Sequence, residues 1–423
     1  MNRTFRAFGS RNYRLYFFGQ SISLIGTWMQ RTAVYWLIYV HTHSTFMLGL
    51  AVFAAQFPSF VLSPLGGVVS DRYNRYRVLL FTQVASLVQA VLLTLLVVFT
   101  SYTVTEILSL SVLLGMINAF DVPARQAMVN EMIDNKEDLP NAIALNSSMV
   151  NLARLIGPAI SGIVLEKFGA GVCFGINSLS FAGVIISVLC MRFPAFVKQH
   201  HKKNAMQELR EGLSYLKETP SIGLVILMLA FVSLLVLPFT ALLPFYAKNI
   251  FSGGASVFGY LNSAIGMGAV GGAIFLASVK AGVNLKKILF VNLVIFGISL
   301  ICFSHLTNLP VALFFLMLAG FGMMSQTTIS NTIVQTSASS AMRGRAISYF
   351  AMAFFGMQPL GGLLIGTVSQ RIGVQDTIVG SGVAALVIAL VFLPFLRKEI
   401  LKKKDTIELV ELEDPSVTAI PSS

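Results

Sequence analysis

Apolar runs of about 20 residues recur along this chain, and no other feature constrains the fold as much. A hydrocarbon core is crossed by roughly 20 helical residues. A helix also satisfies its own backbone N–H and C=O groups where no water can. Twelve such runs are found, at 14–40, 45–70, 77–100, 104–127, 141–165, 171–192, 221–246, 256–279, 286–305, 309–334, 342–369 and 375–396. The expected fold is therefore an all-α polytopic membrane protein with twelve transmembrane helices. Composition agrees: 11% of the residues are charged and 55% hydrophobic, too little polar surface for a water-soluble chain. The first run exceeds a signal-peptide core and reads as a retained span.

The basic residues set an orientation. Of the 30 Lys and Arg, Arg31 and Arg154 lie deep inside runs, and Lys167, Lys248 and Arg371 lie in one set of loops. The remaining 25 gather at the termini, in the alternate loops and at the run ends that border them. Cytoplasmic loops collect Lys and Arg, so both termini are expected in the cytoplasm of a multi-pass inner (plasma) membrane protein. Topology thus accounts for the net charge of +12. A nucleic-acid partner would need a basic, aromatic-interleaved patch on a soluble domain.

The longest interior hydrophilic stretch, 193–220, separates an N-terminal bundle (1–192) from a C-terminal bundle (221–396). In it Leu209, Leu213 and Leu216 recur at helical spacing between charged residues, as in an amphipathic helix. That helix would lie on the membrane surface or serve as a solvated linker. The tail 397–423 turns from basic to acidic and ends Pro/Ser-rich, a composition that reads as disordered and cytoplasmic. An internal repeat is visible. Gly157-Pro158 with Gly162 leads to Lys167-Phe168-Gly169; Pro359 with Gly361-Gly362 leads to Arg371-Ile372-Gly373. Two pseudo-symmetric six-helix bundles in parallel repeat are a transporter architecture.

Between the second and third runs stands Gly67-Val-Val-Ser-Asp71-Arg72-Tyr-Asn74-Arg75-Tyr-Arg77. It resembles the signature loop of the major facilitator superfamily, with Asn74 in place of the usual glycine. Asn tolerates the left-handed conformation better than most residues. The second-half counterpart, near Ala277 to Lys287, keeps Lys280, Lys286 and Lys287 but has no Asp. Asp121-Val-Pro123-Ala-Arg125-Gln126 and Arg154-Leu-Ile-Gly157-Pro158 look like the enterobactin-exporter-type, drug-efflux branch. Gly157, Pro158 and Gly162 also resemble the helix-kink motif of the superfamily's antiporters, or serve packing alone. The resemblance implies a cytoplasmic gate of Gly67, Asp71, Arg72, Arg75 and Asp121. In it Arg75 would pair with Asp121, and Asp71 would meet the N-terminus of the eleventh span, where the helix dipole favours a carboxylate.

Charged groups at bilayer depth are costly, so each needs a reason. Arg31 and Arg154 fall near mid-depth with no acid at their level. They are expected to line a substrate cavity with Gln20, Gln30, Asn118, Gln326 and Gln358, and to favour negatively charged substrates. Alternatively each bonds backbone carbonyls, or Arg31 snorkels outward. Amides in membrane helices also often bond a neighbouring helix. His41 and His43 lack a third ligand, so no metal site is expected. Cys173, Cys190 and Cys302 lie within apolar runs, where they read as small apolar residues. No nucleophile–base constellation or phosphate-binding loop is present, so neither an enzyme nor a cofactor is expected.

The resemblance implies a monomeric secondary active transporter that exports a siderophore-like or drug-like molecule by alternating access, in antiport with protons. Its partners would be the substrate, the coupling ion and membrane lipid. An uptake symporter and a transporter-like receptor are the alternatives.

Overall fold

A computed structural model describes residues 3–193, 205–280, 283–339 and 342–413. Among them every regular element is helical. The first half holds α1 (Arg11–Thr42), α2 (Thr45–Arg72), α3 (Arg75–Phe99), α4 (Val104–Met132), α5 (Leu139–Phe168) and α6 (Ala170–Leu189). The linker helix α7 (Ala205–Glu218) follows. The seventh span begins as α8 (Pro220–Leu235), tightens over Leu237–Leu242, and ends through the short α9 (Leu243–Phe245) and a π-helical turn. Next come α10 (Ala255–Ser278), α11 (Leu285–Ser304) and α12 (Leu309–Ser337). A π-helical turn joins α13 (Arg343–Ala351) to α14 (Met357–Ile372), and α15 (Val374–Glu413) completes the order.

Eleven of these spans are long and apolar enough to cross a membrane. The 32-residue α1 is not among them, because Gln20, Gln30 and Arg31 lower its apolarity. The tightened stretch of the seventh span contains Pro238 and the short α9 contains Pro244, each of which lacks a backbone donor. The helix after Val374 runs on to Glu413, although structure was expected to end near 397. The stretch from Glu399 to Glu413 is rich in Lys, Glu and Leu, which are strong helix formers. Residues 414–423 of the expected tail lie outside the described residues.

The internal repeat reappears in the packing. In the first half α1 packs on α5 and α6, α2 on α4, and α3 on α4 and α6. In the second, α8 packs on α14 and α15, α10 on α12, and α11 on α12 and α15. Across the halves α2 meets α14 and α5 meets α10, two contacts that are counterparts of each other. Gly169 (φ 80°) and Gly373 (φ 95°) end α5 and α14 in a conformation that L side chains resist. Asn74 and Asn284 each accept two backbone N–H groups at the start of α3 and α11. Asn74 thus has an ordinary φ of −61° and works as a helix N-cap rather than as a left-handed stand-in for glycine.

The linker helix does dock. Leu216 is buried, and Gly212 lies against Tyr349 and Arg345 of α13. Glu211 pairs with Arg345 at 2.7 Å, and the Ser339 N–H donates to the Tyr215 hydroxyl at 3.1 Å. The helix is therefore seated on the second half. Residues 194–204 of the expected linker lie outside the described residues.

Candidate functional site

The loops rich in Lys and Arg mark one end of the molecule, here termed the basic end. The hydrogen bonds joining the halves gather between mid-depth and the far end. Tyr39 Oη donates to Asn249 Oδ1 at 2.7 Å, and the Ser256 N–H donates to Glu166 Oε2 at 2.8 Å. Ser263 Oγ donates to the Leu155 carbonyl at 3.1 Å. Backbones also touch there: a Cβ on Gly366 would lie 2.7 Å from the Thr45 carbonyl. A Cβ on Gly162 would lie 2.8 Å from that of Ala255. Burial along α2 follows the same gradient. Thr45, Leu48, Gly49, Ala51, Val52 and Ala54 are buried, whereas Val61, Leu65 and Val68 nearer the basic end are exposed; of the two buried residues there, Gly66 and Ser70, Gly66 packs on Ala119 of α4 in its own half. The halves are closed at the far end and part toward the basic end.

Beneath that closure lies a cationic layer. Trp28, Trp36 and Tyr39 recur on α1 at spacings that keep them near one helix face. Trp36 stacks on Phe258 of α10 at 6.1 Å, and Tyr39 reaches Asn249, so this face meets the second half. Two turns nearer the basic end, the Trp28 ring takes two guanidinium groups. Arg31 Cζ lies 5.2 Å and Arg154 Cζ 5.4 Å from its centre. Gly157 lets this happen, because any Cβ there would strike Trp28. Arg31 Nε also donates to Tyr35 Oη at 3.1 Å, while the buried Arg154 Nε has no partner. Cation–π attraction offsets part of the desolvation of the two charges. Among the described residues neither arginine forms an ion pair.

At the basic end the ion pairs run within the first half. Arg75 bonds Glu131 at 2.6 Å and lies 3.5 Å from Asp71. Asp121 is buried; it pairs with Arg125 at 3.3 Å and accepts from Thr82 at 2.9 Å and Gln83 at 2.7 Å. The expected Arg75–Asp121 pair is thus replaced by two separate pairs in this state. Arg125 lies one turn from Asp121 on its own helix, and Glu131 intercepts Arg75.

A family profile described as transmembrane secretion effector matches residues 3–420. The chain belongs to that family of the major facilitator superfamily. This transporter is 25% identical over 397 residues to the staphyloferrin A transporter of Staphylococcus aureus, covering 92% of this chain and 98% of that one. It is 26% identical to the enterobactin exporter EntS of Escherichia coli O1:K1, covering 90% and 91%. With macrolide efflux protein A of Streptococcus pyogenes the identity is 22%, covering 90% and 96%. The fold matches a POT family transporter solved with 5-aminolevulinic acid (TM-score 0.75, 14% identity, 92% and 96% covered). It also matches a bacterial homologue of the lysosomal transporter Spinster (TM-score 0.71, 14% identity, 92% and 98% covered). The family is one of multi-pass membrane transporters, not enzymes.

The structure sorts the sequence-predicted residues of this transporter. Arg31 and Arg154 come together on Trp28 and, like Asn118 and Gln358, stay partly exposed. Gln20, Gln30 and Gln326 do not line a cavity: each is at most 4% exposed. Gln30 is held by Gln89 at 3.0 Å and Asn177 at 2.8 Å, tying α1 to α3 and α6. Gln326 is sealed inside the second half. Gly67 borders open space, and Arg72 and Asp71 are exposed. Around Gly157, Pro158 and Gly162, α5 stays one continuous helix. The two glycines admit Trp28 and α10, which is the packing role. Sequence reasoning missed Trp28, Glu131 and Glu166. The i, i+3 spacing of Trp28 and Arg31 was the available signal for the first.

Proposed function

We propose that this transporter exports a small molecule by alternating access, driven by proton antiport, with the basic end in the cytoplasm. One observation carries the reading. The halves meet through paired, symmetry-related contacts at the far end and separate toward the basic end, the arrangement of an inward-open carrier. Its relatives named as exporters of a siderophore and of macrolides support outward transport of a siderophore-like or drug-like molecule. The eleven apolar spans together with α1, which packs on α5 and α6, make twelve in two six-helix bundles. That count and the basic asymmetry support cytoplasmic termini. Asp71 and Arg75 act as gate residues once the basic end closes. Asp121, the buried acid beside Arg125, takes the coupling proton.

Everted membrane vesicles test this. Energised vesicles carrying the protein should accumulate at least one of staphyloferrin A, enterobactin or a macrolide above vesicles lacking it. Collapse of the proton gradient should abolish the difference. Accumulation confined to right-side-out vesicles would instead make the chain an uptake symporter. Accumulation unaffected by the gradient would remove the proton.

A further inference from the structure

We propose that Trp28, Arg31 and Arg154 form the binding site for a substrate carrying carboxylate or comparable anionic groups; this rests on the export reading above. The site would receive an anionic molecule that enters from the basic end and stops below the far-end closure.

Three observations converge on it. First, the charges are uncompensated. Two guanidinium groups share one indole, and no described carboxylate pairs with either. A pair of like charges near mid-depth is held apart from lipid only if water or a ligand solvates it. Second, donor capacity is left over. Arg31 spends Nε on Tyr35, which leaves both of its terminal nitrogens free of any described bond. Arg154 Nε is buried with no partner at all. Guanidinium groups in that condition suit bidentate carboxylate binding. Third, the position is central. Trp28 is the eighteenth residue of α1 and Arg154 the sixteenth of α5, so both stand near the middle of their helices. Leu155, next to Arg154, accepts from Ser263 of the second half. Movement between the halves therefore reaches the site directly.

Other candidates argue for less. The Asp121–Arg125 pair is internally neutral, and the Asp121 carboxylate is already met by three donors, Arg125, Thr82 and Gln83. The unpartnered amide of Gln326 is sealed within the second half. Among the described residues, the cationic layer combines free donors and partial exposure with an immediate neighbour, Leu155, that is bonded to the second half.

The chain has two tryptophans, which provides the assay. Trp36→Phe leaves Trp28 as the only indole, in contact with both arginines. The full-length variant is placed in nanodiscs of zwitterionic lipid and titrated at constant ionic strength. The probes are tricarballylate, its neutral trimethyl ester, and spermidine. Tricarballylate should change Trp28 emission saturably, and the ester and spermidine should not. Arg31→Gln and Arg154→Gln should each weaken tricarballylate binding about tenfold or more, with unfolding temperature confirming the fold. The probe series on the Trp36→Phe chain decides the question even if an arginine variant fails to fold. The proposal is overturned if tricarballylate is silent, if the ester or spermidine binds as well, or if the double Gln variant binds unchanged. Each of those results leaves the export reading standing, because vesicle accumulation judges that separately.

Discussion

Glu166→Gln offers a direct measure of what holds the far end shut. Glu166, on α5 of the first half, accepts the Ser256 N–H in the first turn of α10, in the second half. Its carboxylate therefore sits at the positive end of a helix dipole and links the two halves. An exposed charge in that position contributes about 0.3–1 kcal/mol. Glutamine keeps a carbonyl acceptor for the same N–H, so only the charge is lost. A cost of about 0.3–1 kcal/mol shifts a two-state balance roughly two- to fivefold toward the far-end-open form. Spin labels at Lys167 and Asn308, one on each half and both exposed, report this by pulsed electron spectroscopy. The background chain would have its three cysteines replaced by serine. The long-distance population should grow by that factor in Glu166→Gln. A distance distribution indistinguishable from the parent would refute the latch.

Three further outcomes follow from the packing. Gly49→Ala places a methyl against the Gly362 carbonyl across the halves, and overpacking costs about 1–3 kcal/mol; the same spin-label pair should report roughly tenfold less far-end closure. Gln30→Leu strips the bonds to Gln89 and Asn177, so thermal unfolding in detergent should fall by about 1–3 kcal/mol of stability with anion preference intact; a loss of preference without loss of stability would return Gln30 to the cavity. Asp121→Asn leaves the mostly buried Arg125 unpaired, a change of about 3–5 kcal/mol where one partner of a buried pair is removed, whereas Asp71→Asn at an exposed site should leave the unfolding temperature in place. Equal stability of the two variants would contradict the burial argument.

The spans, the repeat and the linker helix were legible because each is written locally. Twenty apolar residues specify a span wherever they occur, and Gly169 and Gly373 mark helix ends by their own backbone needs. The linker's Leu213 and Leu216 announced an amphipathic helix, but nothing local said that it would seat on α13. Polar residues within spans were less readable. Gln30 and Arg31 are neighbours with the same apparent claim on a cavity, yet the helix turn between them sends Gln30 into Gln89 and Asn177. Arg31 turns instead to Trp28. A period-3.6 element assigns faces, but it does not say which face the partner helix covers. Arg75 shows the same gap at longer range: its partner Glu131 is 56 residues away, on the far side of two helices. Glu166 was invisible because its partner is a backbone N–H in the other half.

The far-end contacts have a consequence for how specificity can change. Where Gly49, Gly162 and Gly366 bring helices together, backbone rests against backbone, so the surface on which the halves would roll owes little to side-chain chemistry. Such a surface works as a bearing. The proposed binding site lies below it on different residues, so cargo recognition there would be open to change at Trp28, Arg31 and Arg154 without recutting the bearing itself.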